Sequence, residues 1–149
     1  MNTVSGGMNT TVLAYLGDAV YELHIRRYVI ATGQIHADRL HTAAVRYVRA
    51  GAQAAVIREI FDELSAEEQA LVKRARNKKS ASKPKNADPV EYKWATAFEA
   101  LLGYYALSGK TETIESIISR AIKIIDQDER SAAHRIQVKP SNAAGETNE

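Results

Sequence analysis

Two carboxylates stand in stretches of sequence that a helix would ordinarily fill with apolar side chains. Asp18 lies near the middle of LAYLGDAVYELHIRRYVI at residues 13–30, and Glu99 lies within ATAFEALLGYY at residues 95–105. A buried carboxylate destabilises a fold unless it is paired, hydrogen-bonded or bound to a metal ion. If the two side chains meet, one of them must hold a proton or a cation must neutralise both.

A helical wheel gives the two carboxylates similar surroundings. In the first helix we expect a core stripe made of Leu13, Leu16, Val20 and Leu23. In the later helix we expect a core stripe made of Val90, Trp94, Ala97, Phe98, Leu101 and Tyr105. Asp18 and Glu99 point away from these stripes, towards other apolar or small residues, so both helices should be central. Gly17 would let another group approach Asp18 without a Cβ atom in the way.

The residues leave two interpretations of this pair open. Oxygen ligands in a chain without cysteine favour Mg²⁺ or Mn²⁺ over zinc, so Asp18 and Glu99 could form a metal site. The simpler alternative is that each carboxylate pairs with an arginine, such as Arg26, Arg49 or Arg74. The wheel alone does not decide between them.

The length and composition of the chain limit the class of protein that it can be. Its 149 residues predict one domain, and the absence of cysteine excludes disulfides and thiolate chemistry. No apolar run reaches the roughly 18 residues of a membrane span, and the N-terminus MNTVSGGMNT lacks the features of a signal peptide. We therefore expect a cytoplasmic protein with no membrane partner. We expect residues 1–10 and 129–149 to be disordered and residues 11–128 to form the domain.

The secondary structure should be all α-helical, because no segment keeps the two-residue alternation of a half-buried strand. The predicted helices span residues 11–32, 36–64 with a break near Gly51, 65–76, 89–108 and 113–128. Gly33 should end the first helix. Ser65 and Glu68 form a capping box, and Asp88 followed by Pro89 is typical of a helix start.

The positive charge is concentrated in one segment. Residues 73–85, KRARNKKSASKPK, contain seven basic and no acidic residues, whereas the rest of the chain has 13 basic and 18 acidic residues. The serines and the proline predict a flexible loop rather than a helix face. Such a loop is either simply solvated or binds a polyanion.

Three motifs resemble those of one enzyme family. YLGDAVYEL at residues 15–23 resembles the signature helix of the ribonuclease III family, and residues 95–105 are similar to its second carboxylate helix. KRARNKKSASKPKNAD at 73–88, joined to YKWATAFEALLGY at 92–104, resembles the family's short bacterial Mini-III branch, which has no separate domain for binding double-stranded RNA. The resemblance runs through most of residues 11–126. It implies an all-α endonuclease domain of the ribonuclease III type.

The resemblance also implies a function. It implies a homodimer that hydrolyses double-stranded RNA with Mg²⁺, or Mn²⁺ as a substitute, and leaves 5′-phosphate and 3′-hydroxyl ends. Asp18 and Glu99 would be the catalytic and metal-binding residues, and 23S ribosomal RNA precursors the natural substrate. Two acidic positions of the family are Ala14 and Thr96 here, so waters, Thr96 or RNA phosphates would complete the metal's ligands. Glu22 would orient a water at the metal, or else pair with Arg26.

The basic segment is the expected RNA contact. The residues that we expect to bind RNA are Arg74, Arg76, Asn77, Lys78, Lys79, Lys83 and Lys85. They would contact phosphates, because A-form duplexes are recognised by shape and through their backbones. The competing hypothesis is a non-catalytic helical protein that binds RNA or assists ribosome assembly. Ala14 and Thr96 favour that alternative, while Asp18 and Glu99 favour the enzyme.

Overall fold

The computed structural model describes residues 7–79 and 85–138, and within these ranges it contains helices and no strand. The helices are α1 Thr10–Ala31, α2 Ala37–Val48, α3 Ala50–Ile60, α4 Ala66–Asn77, α5 Pro89–Leu107 and α6 Thr111–Gln137, with a 3-10 turn at Phe61–Glu63. The all-α prediction is therefore confirmed. Among the helices described, none combines the length and the apolar character that crossing a membrane would require.

Helix α5 is the centre of the fold. It packs against α1, α3 and α4, while α6 lies outside and covers α3 and the end of α5. Residues of α5 such as Ala97, Phe98 and Leu101 are fully buried, and Phe98 meets the ring of Tyr21 edge to face with centroids 5.2 Å apart. Because α5 has neighbours on nearly all sides, its apolar residues extend round the helix instead of forming one stripe.

Helices α1 and α5 cross with their backbones in contact. A Cβ atom added to Gly17 would overlap with the backbone carbonyl of Glu99, and one added to Gly103 would overlap with the carbonyl of Leu13. Only glycine permits this approach at both positions. The group that needs the space beside Gly17 is therefore the α5 backbone.

The crossing explains why the predicted core stripe of α1 is only partly right, with Leu13 buried and Leu16 and Val20 half-buried. The buried residues of α1 are Thr10, Leu13, Ala14, Gly17, Tyr21, Ile25 and Val29. Leu23, expected in the core, is 52% exposed. The helix buries the face that carries glycine, because that face lets it come closest to α5. In α5 the predicted stripe is buried or half-buried except Val90, which is 54% exposed in the first turn.

The predicted signals at helix ends agree with the structure. Gly33 has φ 92° just beyond α1, and Ser65 and Glu68 form the reciprocal capping box of α4. The Asp88 carboxylate accepts hydrogen bonds from two backbone N–H groups at the start of α5. The break in the second helical region falls at Arg49, where ψ is 148°, two residues before Gly51.

Two predicted irregular segments are partly helical. Helix α4 spans Ala66–Asn77, which confirms the predicted helix over 65–76, so residues 73–77 do not belong to the flexible loop predicted over 73–85. Arginine, lysine and alanine favour helices, and cations near a helix C-terminus complement its dipole. Helix α6 continues to Gln137, so disorder is wrong for residues 129–137. That stretch, ERSAAHRIQ, has good helix formers but no apolar stripe, and Arg46 pairs with Glu129.

The predicted N-terminal disorder also ends earlier than expected. Met8 packs against the core, and the Asn9 side chain accepts a hydrogen bond from the Thr11 N–H at the start of α1. Thr10 is the first residue of that helix and is buried. The predictions for residues 1–6 and 139–149, and for Lys83 within 80–84, lie outside the described residues.

We predict that Gly17→Ala destabilises the protein by about 3 kcal/mol or more, because the backbones of α1 and α5 would have to separate. The matched control is Gly51→Ala in the first turn of α3, where the new Cβ would meet only the flexible ends of the Arg49 and Glu91 side chains. That variant should be neutral or gain up to about 1 kcal/mol from helix propensity. Urea unfolding measures both, and equal free energies of unfolding would contradict the tight crossing.

Candidate active site

A cavity of about 510 Å³ lies beside the crossing, between α1, the end of α4 and α5. Its lining residues are Thr10, Thr11, Ala14, Tyr15, Asp18, Ala75, Lys78, Lys79, Tyr92, Lys93, Thr96 and Glu99. Both predicted carboxylates are among them, and so are two of the predicted RNA-binding lysines. The helix crossing brings the two carboxylates to one cavity, because Asp18 follows Gly17 and Gly17 contacts the backbone of Glu99.

The two carboxylates have an unfavourable electrostatic setting. Burial raises the pKa of Glu99 to about 8, and the charge of Asp18 adds to the rise. The pKa of Asp18 is also raised, first by burial and then by the charge of Glu22. Glu99 therefore holds its proton near neutral pH unless a cation enters the cavity.

The arginines considered as partners are engaged elsewhere. Within residues 7–79 and 85–138, neither carboxylate of the cavity forms an ion pair. Arg26 pairs with Glu22 at 2.9 Å, Arg74 donates to a backbone carbonyl, and the Arg49 guanidinium lies beside Gly51. The structural interpretation of Asp18 and Glu99 as partners of these arginines is thus wrong for the residues described.

The two residues expected near the metal have different settings. Glu22 accepts two hydrogen bonds from Arg26 at 2.9 and 3.0 Å and does not line the cavity. The pairing alternative for Glu22 is therefore the one that the structure shows. Thr96 lines the cavity and donates its hydroxyl hydrogen to the Tyr92 carbonyl at 2.9 Å, which leaves the hydroxyl oxygen available as an acceptor.

Two of the predicted RNA-binding lysines lie at the cavity. Lys78 and Lys79, directly after α4, line it, and the Lys78 ammonium donates to the Asn9 side chain at 2.7 Å. Lys85 is exposed at the other end of the same connection. Lys78 and Lys79 therefore place positive charge in the same cavity as the two carboxylates.

The predicted RNA-binding arginines are held by the protein itself. Arg74 donates to the Met8 carbonyl at 3.1 Å, and the Arg76 guanidinium lies over the Trp94 ring at 4.8 Å from its centroid. Arg76 also donates to the Asn77 side chain at 3.1 Å. Arg74, Arg76 and Asn77 do not line the cavity, although Arg74 and Asn77 line a neighbouring depression together with Lys78.

Sequence reasoning missed several cavity residues that follow from helix periodicity. Tyr92 lies four residues before Thr96, which was predicted, and seven before Glu99 in α5, and the missed residues Thr11 and Tyr15 precede Asp18 with the same spacing in α1. They could have been found by following the helix face that carries each carboxylate for two turns towards the N-terminus. Lys93, beside Tyr92, adds a third cation to the lining.

The donor set fits a hard divalent cation that keeps most of its waters. Among the described residues no group of three or more acidic or histidine side chains is placed to enclose a metal ion. Asp18 and Glu99 nevertheless offer oxygen ligands without a neutralising partner, and Mg²⁺ is commonly held by one or two carboxylates with water completing its shell. Thr96 adds a neutral oxygen on the same face of α5.

Comparison with known proteins identifies the family of the chain. Residues 11–110 match the model of the ribonuclease III domain. A Mini-ribonuclease 3 from Brevibacillus brevis is 50% identical over 118 residues, which cover 79% of this chain and 88% of the relative. A Mini-ribonuclease 3 from Thermoanaerobacter sp. is 42% identical over 80% of this chain and 84% of the relative.

The fold has a solved counterpart as well. A crystal structure of a Fusobacterium nucleatum protein superposes with a TM-score of 0.71 and 36% identity, covering 78% of this chain and 93% of that one. The family model spans the crossing, both carboxylates and the basic segment. The chain belongs to the ribonuclease III family. It is accordingly an endoribonuclease with the all-α fold of that family.

We predict that the stability of the metal-free protein falls as pH rises, because of Glu99. Its pKa is about 8 in the folded protein and lower in the unfolded chain. Below about pH 4.5 both states hold the proton, whereas between about pH 4.5 and 8 only the folded state does, so unfolding becomes easier. Glu99→Gln should flatten this slope and make the protein more stable than wild type at pH 8 by up to about 4 kcal/mol.

Urea unfolding between pH 5 and 8 in a chelating buffer measures that difference. Glu115→Gln, which removes an exposed carboxylate of α6, is the control and should retain the wild-type slope. Parallel curves for wild type and Glu99→Gln would show that the Glu99 pKa is not raised.

Proposed function

We propose that the protein hydrolyses double-stranded RNA with Mg²⁺ bound by Asp18 and Glu99. The observation that carries this proposal is one solvent-accessible cavity that holds both carboxylates without a counter-cation among the described residues. Lysines 78, 79 and 93 in the same lining supply positive charge for RNA phosphates. Membership of the ribonuclease III family supports the class of reaction.

Each group has a part in the proposed reaction. When bound, Mg²⁺ would polarise the phosphodiester and make water a stronger nucleophile. Asp18 and Glu99 hold it from two helices whose backbones touch, so their separation is fixed by the fold. Lys78 and Lys79 attract the phosphates, and Thr96 offers its hydroxyl oxygen to a water in the cavity. We propose products with 5′-phosphate and 3′-hydroxyl ends.

The proposed natural substrate is the precursor of 23S ribosomal RNA, which places the enzyme in the cytoplasm. This assignment rests on the resemblance of the basic segment and α5 to the Mini-III branch. The described domain offers lysines for the RNA backbone, so we expect recognition by duplex shape with weak sequence preference.

A non-catalytic RNA-binding role is the second hypothesis, and one observation bears on it. Ala14 and Thr96 both line the cavity at positions where the family commonly has carboxylates, so the set of anionic ligands is small. The unneutralised pair Asp18 and Glu99 favours the enzyme, because retaining two repelling carboxylates costs stability that a purely binding protein need not lose.

We also propose that the protein acts as a homodimer through α1. Four apolar side chains of α1, spaced along one side of the helix, are exposed: Val12, Tyr15, Leu23 and Ile30. Tyr15 is 85% exposed and also lines the cavity, so a second copy on this stripe would sit beside the site. An apolar stripe of this extent favours a protein partner. Light scattering should give twice the chain mass, and Leu23→Asp should halve it.

We predict that Asp18→Asn and Glu99→Gln each lower cleavage of duplex RNA by about a thousandfold, equivalent to about 4 kcal/mol of activation free energy. Each change keeps the side-chain shape and removes one of the two anionic ligands. Wild type should cut only when Mg²⁺ or Mn²⁺ is present. Glu115→Gln, which removes an exposed carboxylate of α6, is the control and should remain active.

Gel analysis of a labelled duplex measures cleavage, and filter binding measures retention of RNA by the same variants. A folded wild type that binds duplex RNA but does not cut it with either metal would support the non-catalytic hypothesis. Loss of folding in Asp18→Asn would instead indicate a structural role for this carboxylate.

We predict that replacing Lys78, Lys79 and Lys85 with alanine weakens duplex binding and reduces its dependence on salt. The slope of log K against log salt should fall by roughly 0.7 to 0.9 for each phosphate that these lysines neutralise. The measurement uses the Asp18→Asn background, so that the RNA stays intact. Lys123→Ala, an exposed lysine on α6, is the control. An unchanged slope in the triple variant would remove these lysines from the RNA interface.

A further inference from the structure

Two arginines share the ring of the single tryptophan. Trp94 lies on α5, and the chain has no other tryptophan. The Arg76 guanidinium, from α4, lies over its ring at 4.8 Å from the centroid, and the Arg58 guanidinium, from α3, lies over the same ring at 5.4 Å. Both distances are within the roughly 6 Å over which an aromatic ring attracts a cation. Trp94 therefore holds two positive charges together where α3 and α4 pack against α5.

A third cation lies beside this pair. The ring of Phe61 meets the Trp94 ring edge to face with centroids 6.2 Å apart, and the Lys73 ammonium lies over the Phe61 ring at 5.7 Å. Arg58 and Lys73 are exposed, and Arg76 is half-buried. Within residues 7–79 and 85–138, none of the three cations forms an ion pair. The described part of the chain thus gathers positive charge here without neutralising it.

The stacked arginines keep most of their hydrogen-bond donors. A guanidinium has five N–H groups that point outward in its plane, so an aromatic ring against its face does not block them. Among the described residues Arg76 uses one of these groups, from Nε to the Asn77 side chain at 3.1 Å, and Arg58 uses none. Phosphates and carboxylates match the fork of a guanidinium, and a side chain already held by a ring loses less freedom on binding them.

The stacked arginines are separate from the active-site cavity. Neither the arginines nor Trp94 line it. Tyr92, Thr96 and Glu99 share the cavity face of α5, and Trp94 lies about 200° round the helix from Tyr92. Opposite sides of an α-helix with its side chains are about 10–12 Å apart. An anion bound by these arginines is therefore a different one from the anion at Asp18 and Glu99.

We propose that Arg58 and Arg76, stacked on Trp94, form a second contact for the RNA backbone, which binds phosphates of the duplex outside the cavity. RNA fits this surface better than an acidic protein does, because Arg76 belongs to the same basic segment as Lys78 and Lys79, which line the cavity. Phosphates repeat along a duplex, so one RNA molecule can occupy both places. The inference rests on the proposed function, in which the substrate is double-stranded RNA.

The test compares Arg58→Gln with Arg39→Gln in the Asp18→Asn background, so that the RNA stays intact. Arg39 is a matched control, because it is an exposed arginine of α2 without an ion pair among the described residues. Arg58→Gln should weaken duplex binding about fivefold at 0.1 M salt and lower the slope of log K against log salt by roughly 0.7 to 0.9. Arg39→Gln should change neither. Arg58→Lys should retain the slope, because it keeps the charge.

Trp94 supplies a readout that needs neither Mg²⁺ nor cleavage. Its fluorescence reports on this surface alone, because the chain has no other tryptophan. When duplex RNA is added to the wild-type protein in a chelating buffer, the Trp94 emission should change with the midpoint that filter binding gives. Poly-glutamate, which stands in for an acidic protein, should leave the emission unchanged. This measurement decides the inference even if Arg58→Gln does not fold.

The outcomes separate the two proposals. Trp94 emission that stays constant with saturating duplex, or that responds equally to poly-glutamate, would overturn the second RNA contact. Equal affinities and salt slopes for Arg58→Gln and Arg39→Gln would overturn it as well, even in a protein whose wild type cuts duplex RNA. A Trp94 signal that follows duplex binding in a protein that never cuts the duplex would support the contact and refute the proposed reaction.

Discussion

The fold depends on one close approach, the crossing of α1 and α5 at Gly17 and Gly103. Neither position has room for a Cβ atom, because each faces a backbone carbonyl of the other helix. The crossing decides which face of α1 is buried and where α5 runs through the centre of the domain. It also sets the distance between the two chain segments that carry Asp18 and Glu99. The candidate active site is therefore a direct consequence of helix packing.

The same crossing creates an electrostatic problem that the described residues do not solve by themselves. Burial and neighbouring negative charge raise the pKa values of both carboxylates, and arginines such as Arg26 and Arg74 are bound to other groups. Stored electrostatic cost of this kind is typical of functional sites, where stability is lower than the fold could reach. A divalent cation would reduce this electrostatic cost. Binding of the metal ion and stability of the fold therefore depend on the same interaction.

The helix ends could be predicted from the sequence, because they depend on neighbouring residues. The buried helix faces could not, because they depend on tertiary packing. Capping at Ser65 and Asp88 and the end of α1 at Gly33 were predictable, because each depends on neighbouring residues. The buried face of α1 was not, since the wheel favours leucines and Leu23 is exposed, whereas the crossing selects the glycine face. The burial of Gln53 was invisible for the same reason, because the Val48 carbonyl that its side chain binds belongs to another helix.

The basic segment divides into two parts that differ in their physical role. Its arginines lie on the last turn of α4 and are held, Arg74 by a backbone carbonyl and Arg76 by the face of Trp94. Its lysines at positions 78 and 79 follow the helix and line the cavity. Arginine suits fixed, planar contacts, whereas lysine is a mobile point charge on a flexible stem. Lysines beside the carboxylate pair fit a substrate recognised by its backbone, because a flexible stem can follow phosphates of any sequence once Lys78 releases the Asn9 side chain.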